Sequence, residues 1–359
     1  MGIMKNTNIK KILSKNMLTF LVVIVAYAAV QLLGSLGLLT SSLRGQLVPI
    51  CVYIVLAVSL NILVGICGEL SLGHAGFMGL GAFGGIVIAT VLKDAVSNDV
   101  ARLAVAMIAG GILAGVIGFL IGIPVLRLRG DYLAIVTLAF GEIIKSFINN
   151  SYAGITESGF RFAIATSKPD WAGEAKMIVS GPLGATGIQK LSNFSVGFVL
   201  ILFTLFVTLN LINSKEGRAI KAVRDNRIAA ESVGINVTAF RMKAFVVSAF
   251  LAGMAGALFG LNFSSLTASK FNFNTSINIL VFVVLGGMGN ILGSIISATV
   301  LYILPEAMRG LEDYRMILYA VVLIVVMLCT WSPKVKDQIS VLSDKLRSML
   351  HKKEVGKHE

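Results

Sequence analysis

The fold class the sequence predicts is all-α, a polytopic transmembrane bundle of about ten crossings. It follows from an excess of apolar residues, the recurrence of long apolar runs, and the placement of the basic residues between those runs. Of 359 residues, 56% are hydrophobic and 14% charged, whereas about a quarter of a soluble domain is charged. Runs of about 20 apolar residues, each enough to cross a hydrocarbon layer of roughly 30 Å as a helix, recur along almost the whole chain. Lys5, Lys10, Lys11 and Lys15 precede the first run. Lys215, Arg218, Lys221, Arg224, Arg227, Arg241 and Lys243 fill one loop, and Lys334, Lys336, Lys345, Arg347, Lys352, Lys353 and Lys357 lie in the tail. A net charge of +13 spread in this way is the positive-inside pattern. It points to a lipid bilayer as the partner and away from nucleic acid.

Runs read against breakers give spans at Met17–Leu39, Gln46–Ile66, Phe77–Leu92, Leu103–Leu126, Tyr132–Asn149, Ser195–Ile212, Ala244–Asn262, Ser276–Leu304 and Met316–Trp331. The first is too long for a signal-peptide core and lacks a small-residue cleavage site, so it reads as an anchor. With residues 1–16 in the cytoplasm, counting places Arg127 and Arg129 inside, 151–193 outside as a cap, and the basic loop 213–243 inside. Nine spans would leave the basic tail, 333–359, outside. The charge rule is restored if Ser276–Leu304, interrupted by Gly286, Gly287, Gly289 and Asn290, enters the membrane twice; a re-entrant turn in Gly65–Gly85 would restore it equally. Both termini are then cytoplasmic and 17–332 is the transmembrane domain. Asn61-Ile-Leu-Val64 is echoed by Asn278-Ile-Leu-Val281, and Ala89-Thr-Val-Leu92 by Ala298-Thr-Val-Leu301. Gly-interrupted segments paired in this way suggest an internal repeat with a solute path between its copies.

Several chemistries have no footing. Cys51, Cys67 and Cys329 sit in or beside apolar stretches without a metal or disulfide spacing. His74, His351 and His358 are too few and too scattered for a metal cluster. No Gly-x-x-x-x-Gly-Lys-Ser/Thr phosphate loop occurs, so nucleotide chemistry is not carried here. The expectation is a protein that is not an enzyme, with no catalytic group, cofactor or metal of its own.

Two regions carry the functional signal. In the basic loop, Asn213 followed by Glu216 suits a helix start, Asp225 or Asn226 can cap a second short helix, and Gly234 can end it. The pair would mix Ala219, Ala222, Val223, Ala229, Ala230 and Val233 with Arg218, Arg224 and Arg227. Such a surface suits a groove on a cytoplasmic partner, or equally an anionic membrane. In the second region, Gly68, Gly73, Gly76, Gly79, Gly81, Gly84 and Gly85 make a weak helix whose backbone can break where it lines a path, and unwound N–H groups there could meet a carboxylate. Against that stands close helix packing, with His74 a hydrogen-bonded packing residue. Glu142, with Lys145 one turn later, lies at membrane depth, where an unpaired charge costs several kcal/mol; it is a structural pair or part of a solute path. Glu69 and Asp131 sit near span ends and need only be solvated.

Four stretches, in order, resemble one family. They are Gly68-Glu-Leu-Ser-Leu-Gly-His-Ala-Gly-Phe77, Leu126-Arg-Leu-Arg-Gly-Asp-Tyr-Leu-Ala-Ile-Val-Thr-Leu-Ala-Phe-Gly-Glu142, Gly217 to Thr238, and Gly286-Gly-Met-Gly-Asn-Ile-Leu-Gly293. The family is LivM, permease subunits of branched-chain amino acid ABC importers; the second stretch separates it from its partner LivH. The resemblance implies a coupling loop in which Gly217, Arg218, Arg224, Ala229, Ala230, Glu231 and Gly234 meet the ATPase, with Ala-Ala-Glu where the general signature reads Glu-Ala-Ala. It implies two cytoplasmic ATPase subunits, a LivH-like second permease and an extracytoplasmic solute-binding protein, in the plasma membrane of a prokaryote. Glu69, Ser71, His74, Gly76, Gly141, Glu142, Gly286, Gly287, Gly289 and Asn290 are its candidate path. The competing expectation is an ion- or proton-coupled secondary transporter using Glu142, Glu69 or His74; such a carrier has no need of the long basic loop.

Overall fold

A helix that is apolar all round is buried, and Ser41–Asn61 (α2) behaves so: from Val48 to its end all but two residues are buried. Around it the computed structural model, which describes residues 2–37, 40–128, 130–157, 159–173, 175–307 and isolated positions 320, 321 and 324, places the helices α1 (Gly2–Ser35), α3 (His74–Val91), α4 (Asp99–Val125), α5 (Asp131–Asn149), α6 (Phe194–Asn213), α9 (Val237–Gly260), α10 (Phe273–Gly286) and α11 (Ile291–Ala307). Two short helices, α7 (Lys215–Asp225) and α8 (Arg227–Ser232), lie between α6 and α9.

The centre is the meeting of α3, α4 and α9. Inside lipid there is no hydrophobic gain from hiding one apolar helix against another, so association relies on close packing through small residues. A Cβ on Gly81 of α3 would lie 2.0 Å from the Gly253 carbonyl oxygen of α9, and one on Gly253 would lie 2.6 Å from the Gly110 oxygen of α4. Gly256 meets the Met78 oxygen at 1.9 Å by the same construction. The outer face of α4, with Ile108, Ile112, Val116, Phe119 and Ile123, is exposed and apolar, as is that of α6 with Val199, Phe203 and Phe206.

Among the described residues, seven helical segments are long and apolar enough to cross a membrane: Met17–Ser35, Ser41–Cys67, His74–Val91, Asp99–Val125, Phe194–Asn213, Val237–Gly260 and Ala268–Gly286. The charged α5 and the shorter Ile291–Glu306 fall outside that set, and the expected span Met316–Trp331 and the basic tail lie outside the described residues. The anticipated interruption in Ser276–Leu304 is present: α10 stops at Gly286, Gly287 and Gly289 take positive φ, and α11 starts at Ile291. The other Gly-rich region also breaks. After α2 the chain passes through one π-helical segment, Ile62–Cys67, and ends on Gly68 at φ 77°. The echoed sequence pairs thus both belong to helix, break, helix units.

The all-α expectation needs correction between α5 and α6, where there is a five-stranded antiparallel sheet in the order β2-β1-β3-β4-β5. Its strands are β1 (Ser151–Thr156), β2 (Gly159–Ile164), β3 (Lys176–Ser180), β4 (Ala185–Thr186) and, after α9, β5 (Ser265–Leu266). β1 and β2 form a hairpin with Thr156 opposite Gly159, whose φ of 112° only glycine adopts freely. Phe160, Phe162 and Ile164 alternate along β2 with period two, a signal too short to stand out inside a mixed polar stretch. The sheet gathers the ends of α5 and α9 and the start of α6, while α7 and α8 lie beyond the far end of α6, about 30 Å away along a 20-residue helix.

Replacing Gly256 with Val should lower the melting temperature of the detergent-solubilised protein sharply, because the side chain must displace backbone rather than a flexible tip. Gly45→Ala, where nothing lies within 4 Å, should leave it unchanged or slightly raised. Thermal-shift chromatography of the two variants checks this.

Candidate coupling hairpin and membrane path

The short helices start where local chemistry dictates. Ser214, not Asn213, caps α7: its Oγ accepts from the Gly217 N–H at 3.0 Å, while Asn213 Nδ2 turns back to donate to the Leu209 oxygen at 2.8 Å. Asn226 caps α8 by accepting from the Ala229 N–H at 3.0 Å. Gly234, at φ 82°, ends it as expected, with the Ile235 N–H returning to the Ala230 oxygen at 3.0 Å. Asn236 then accepts from the Ala239 N–H at 3.1 Å and opens α9.

Val223, Ala230 and Val237 form a small buried cluster with Ile235 packed on it, so the two helices fold as a hairpin against the start of α9. Of the expected partner-facing residues, Arg218, Arg224, Ala229, Glu231 and Gly234 are exposed; Gly217 and Ala230 are buried. Gly217 is small for a reason inside the chain, since a Cβ there would sit 2.1 Å from the Leu211 oxygen. The prominent apolar groups are Ile228, 80% exposed, and Val233, 73% exposed, beside the Arg227–Glu231 ion pair at 3.0 Å. Ile228 went unnoticed in the sequence, although a bare β-branched residue between Arg227 and Ala229 was a readable signal.

At the same end of the bundle, Glu69 is not merely solvated. Arg241 Nε lies 2.6 Å from Glu69 Oε1, and the guanidinium also donates to the carbonyls of Leu126 at 2.9 Å and Leu128 at 3.4 Å. The Arg241 side chain is 3% exposed, and this one cation ties the start of α9 to the segment after α2 and to the end of α4. Arg224 Nη1 donates to the Gly65 oxygen at 2.6 Å. Asn61 Oδ1 accepts from the Gly289 N–H at 2.8 Å, and Asn61 Nδ2 donates to Ser294 Oγ at 3.0 Å. Gly286, Gly287, Gly289 and Asn290 therefore sit at this end, against the break after α2. Asn61, Arg241 and Ser294 lay in the sequence as ordinary polar residues, and only the fold brings them together.

The remaining candidates lie deeper. Ser71, His74 and Gly76 are buried, behind α5. His74 Nε2 lies 2.9 Å from Ser59 Oγ, and Ser248 Oγ donates to the Ser59 oxygen at 2.7 Å, a packing role. Two N–H groups here are engaged by side chains: Leu72, before α3, donates to Thr137 Oγ1 at 3.0 Å, and Ala75, in the first turn of α3, to Ser276 Oγ at 3.1 Å. A Cβ on Gly73 would lie 2.2 Å from the Thr137 oxygen, and one on Gly76 would lie 3.0 Å from the Gly141 Cα, so Gly76 and Gly141 are contact points between α3 and α5. Glu142 pairs with Lys145 and also accepts from the Phe273 N–H at 3.2 Å, the first of α10. It stands about 16 Å along α5 from Asp131, yet its side chain is 38% exposed and that of Lys145 is 29% exposed. Among the described residues no group of three or more His, Cys, Asp or Glu comes together.

A multi-span helical bundle with broken helices at one end, an ion pair open at mid-depth and a capped basic hairpin defines the class of a membrane permease. A family profile described as branched-chain amino acid transport system / permease component matches residues 42–328, and the chain belongs to that family. Relatives carry the resolution further. The high-affinity branched-chain amino acid transport system permease protein LivM of Salmonella typhimurium is 32% identical over 332 residues, 89% of this chain and 73% of the relative. LivM of Escherichia coli K12 is 33% identical over 297 residues, 79% of this chain and 67% of the relative. LivH of Salmonella typhimurium, covering 77% of this chain and 88% of the relative, is 23% identical. This chain is a LivM-family permease, as its sequence motifs implied.

Arg241→Met should destabilise the protein by about 3 kcal/mol, because Glu69 is left as an uncompensated, largely buried charge. Adding Glu69→Gln to it should recover part of the loss. Denaturation midpoints of the single and double variants, measured in one detergent, check both outcomes.

Proposed function

We propose that this chain is the membrane-spanning permease subunit of an ABC importer for branched-chain amino acids, driven by two cytoplasmic ATPase subunits. The observation that carries the reading is the hairpin: Ile228 and Val233 stand bare on α8 and just after it, beside the Arg227–Glu231 ion pair. Exposed apolar residues set among charges suit insertion into a protein groove, and the sequence holds no phosphate loop that would let the chain hydrolyse ATP itself. The positive-inside rule assigns the hairpin and both termini to the cytoplasm and the sheet to the opposite side of the plasma membrane, where it would receive a solute-binding protein.

The path runs along the α5 and α10 face. There Glu142, Lys145, Ser146, Asn274 and Asn278 are open to varying degrees, in contrast to the apolar faces of α4 and α6. A charged pair at the bilayer centre is costly against lipid, so this face turns to a second, LivH-like permease with the solute path between the two. Glycines 286, 287 and 289 with Asn290 form its inner mouth. Ser71, His74 and Gly76 support α5 from behind.

Ile228→Asp should leave membrane insertion intact but reduce the ATPase that co-purifies with the complex by about tenfold, the loss of one buried anchor. Glu231→Lys and Gly234→Val should abolish uptake; the latter forces a β-branched residue into a left-handed conformation at a cost of about 1–2 kcal/mol. Proteoliposome transport decides the class. Uptake that needs no ATPase or nucleotide and follows a proton gradient would overturn the importer reading in favour of a secondary transporter.

A further inference from the structure

We infer that Arg224 is the positioning residue that delivers movement of the α7–α8 hairpin to the inner mouth of the path, by gripping the end of α2. The inference rests on the hairpin being the ATPase socket. Arg224 lies in the last turn of α7 and reaches a carbonyl 159 residues away, the Gly65 oxygen, at 2.6 Å. That oxygen belongs to the π-helical end of α2, where the last carbonyls have no successor turn to bond and where the helix dipole favours a cation.

The site is shaped for the side chain. A Cβ on Gly68 would come within 2.8 Å of Arg224 Cγ, and Gly68 has φ 77°, so glycine there both ends the helix and leaves room for the arginine stem. What Arg224 grips is in turn knotted to the mouth. A Cβ on Gly65 would lie 2.2 Å from the Gly289 nitrogen; Gly289 donates to Asn61, and Asn61 donates to Ser294 in the first turn of α11. Pulling on Gly65 therefore moves the Gly287–Asn290 turn.

The other described hydrogen bonds and ion pairs that leave the hairpin run to its chain neighbours: Arg218 and Lys221 to carbonyls at the end of α6, and Glu216 to Lys243 of α9. Among the described residues, Arg224 alone links α7 or α8 by a polar contact to a segment distant in sequence. Apolar packing can slide as the hairpin tilts. A charge-assisted hydrogen bond to a helix end transmits both push and pull.

The test uses the whole complex with its ATPases in proteoliposomes, with uptake of radiolabelled leucine and ATP hydrolysis measured together. Arg224→Gln should keep the ATPases bound and basal hydrolysis near wild type, while uptake per ATP falls by about tenfold, within the usual span of site-to-site couplings. Arg224→Lys, which keeps a cationic donor but loses the planar fork, should restore part of it. Gly68→Ala, which crowds the arginine stem without changing its charge, should uncouple in the same way. Wild-type uptake per ATP in both Arg224→Gln and Gly68→Ala would overturn the inference. So would loss of the ATPases from the Arg224→Gln complex, which would make Arg224 a docking residue instead. Ile228→Asp, run alongside, reports on docking alone: if that variant still binds its ATPases and transports, the socket reading itself fails.

Discussion

A backbone that breaks its helix inside a membrane must find partners for every freed N–H and C=O within the protein, because lipid offers none. This constraint organises the molecule around its broken helices. The π-helical end of α2 hands the Gly65 oxygen to Arg224. The stretch before α3 gives the Leu72 N–H, and the first turn of α3 the Ala75 N–H, to hydroxyls of Thr137 and Ser276. The start of α10 gives the Phe273 N–H to Glu142, and the turn after it gives the Gly289 N–H to Asn61. Each break is thereby tied to a helix distant in sequence, and the Gly289–Asn61 bond ties the breaks after α2 and α10 to each other.

The same economy explains the charges. Arg241 is buried because it serves a carboxylate and two carbonyls at once, which offsets the desolvation that a lone buried guanidinium would suffer. Glu142 and Lys145 differ: they neutralise each other but remain partly open, on a face where α10 also shows Asn274 and Asn278. The apolar outer faces of α4 and α6 thus contrast with this more polar face of α5 and α10. Glycine supplies the third ingredient, allowing α3, α4 and α9 to touch backbone to backbone and hold the scaffold against which the breaks are set.

Membrane class, the positions of most spans, the interruption at Gly286–Asn290 and the capped hairpin were legible because each rests on local pattern: run length, glycine, and Ser or Asn at helix starts. The sheet between α5 and α6 was not, since its strands are short and pair across the chain, β5 coming from beyond α9. The cap of α7 was misplaced by one residue because Asn213 and Ser214 are both competent, and only the preceding helix, which engages Asn213, separates them. Gly217 and Ala230 looked like partner contacts, but Gly217 packs against the end of α6 and Ala230 lies in the hairpin's own small core.

The sequence by itself determined that this chain lives in a bilayer and where its basic segments fall, because these are sums over composition and charge. The tertiary structure alone decided which polar residues meet. Asn61 with Gly289, Arg224 with Gly65, Arg241 with Glu69 and Glu142 with Phe273 are separated by 228, 159, 172 and 131 positions. Hydrogen bonds act over about 3 Å, so such pairings exist only once the helices have been packed, and no periodicity along the chain records them.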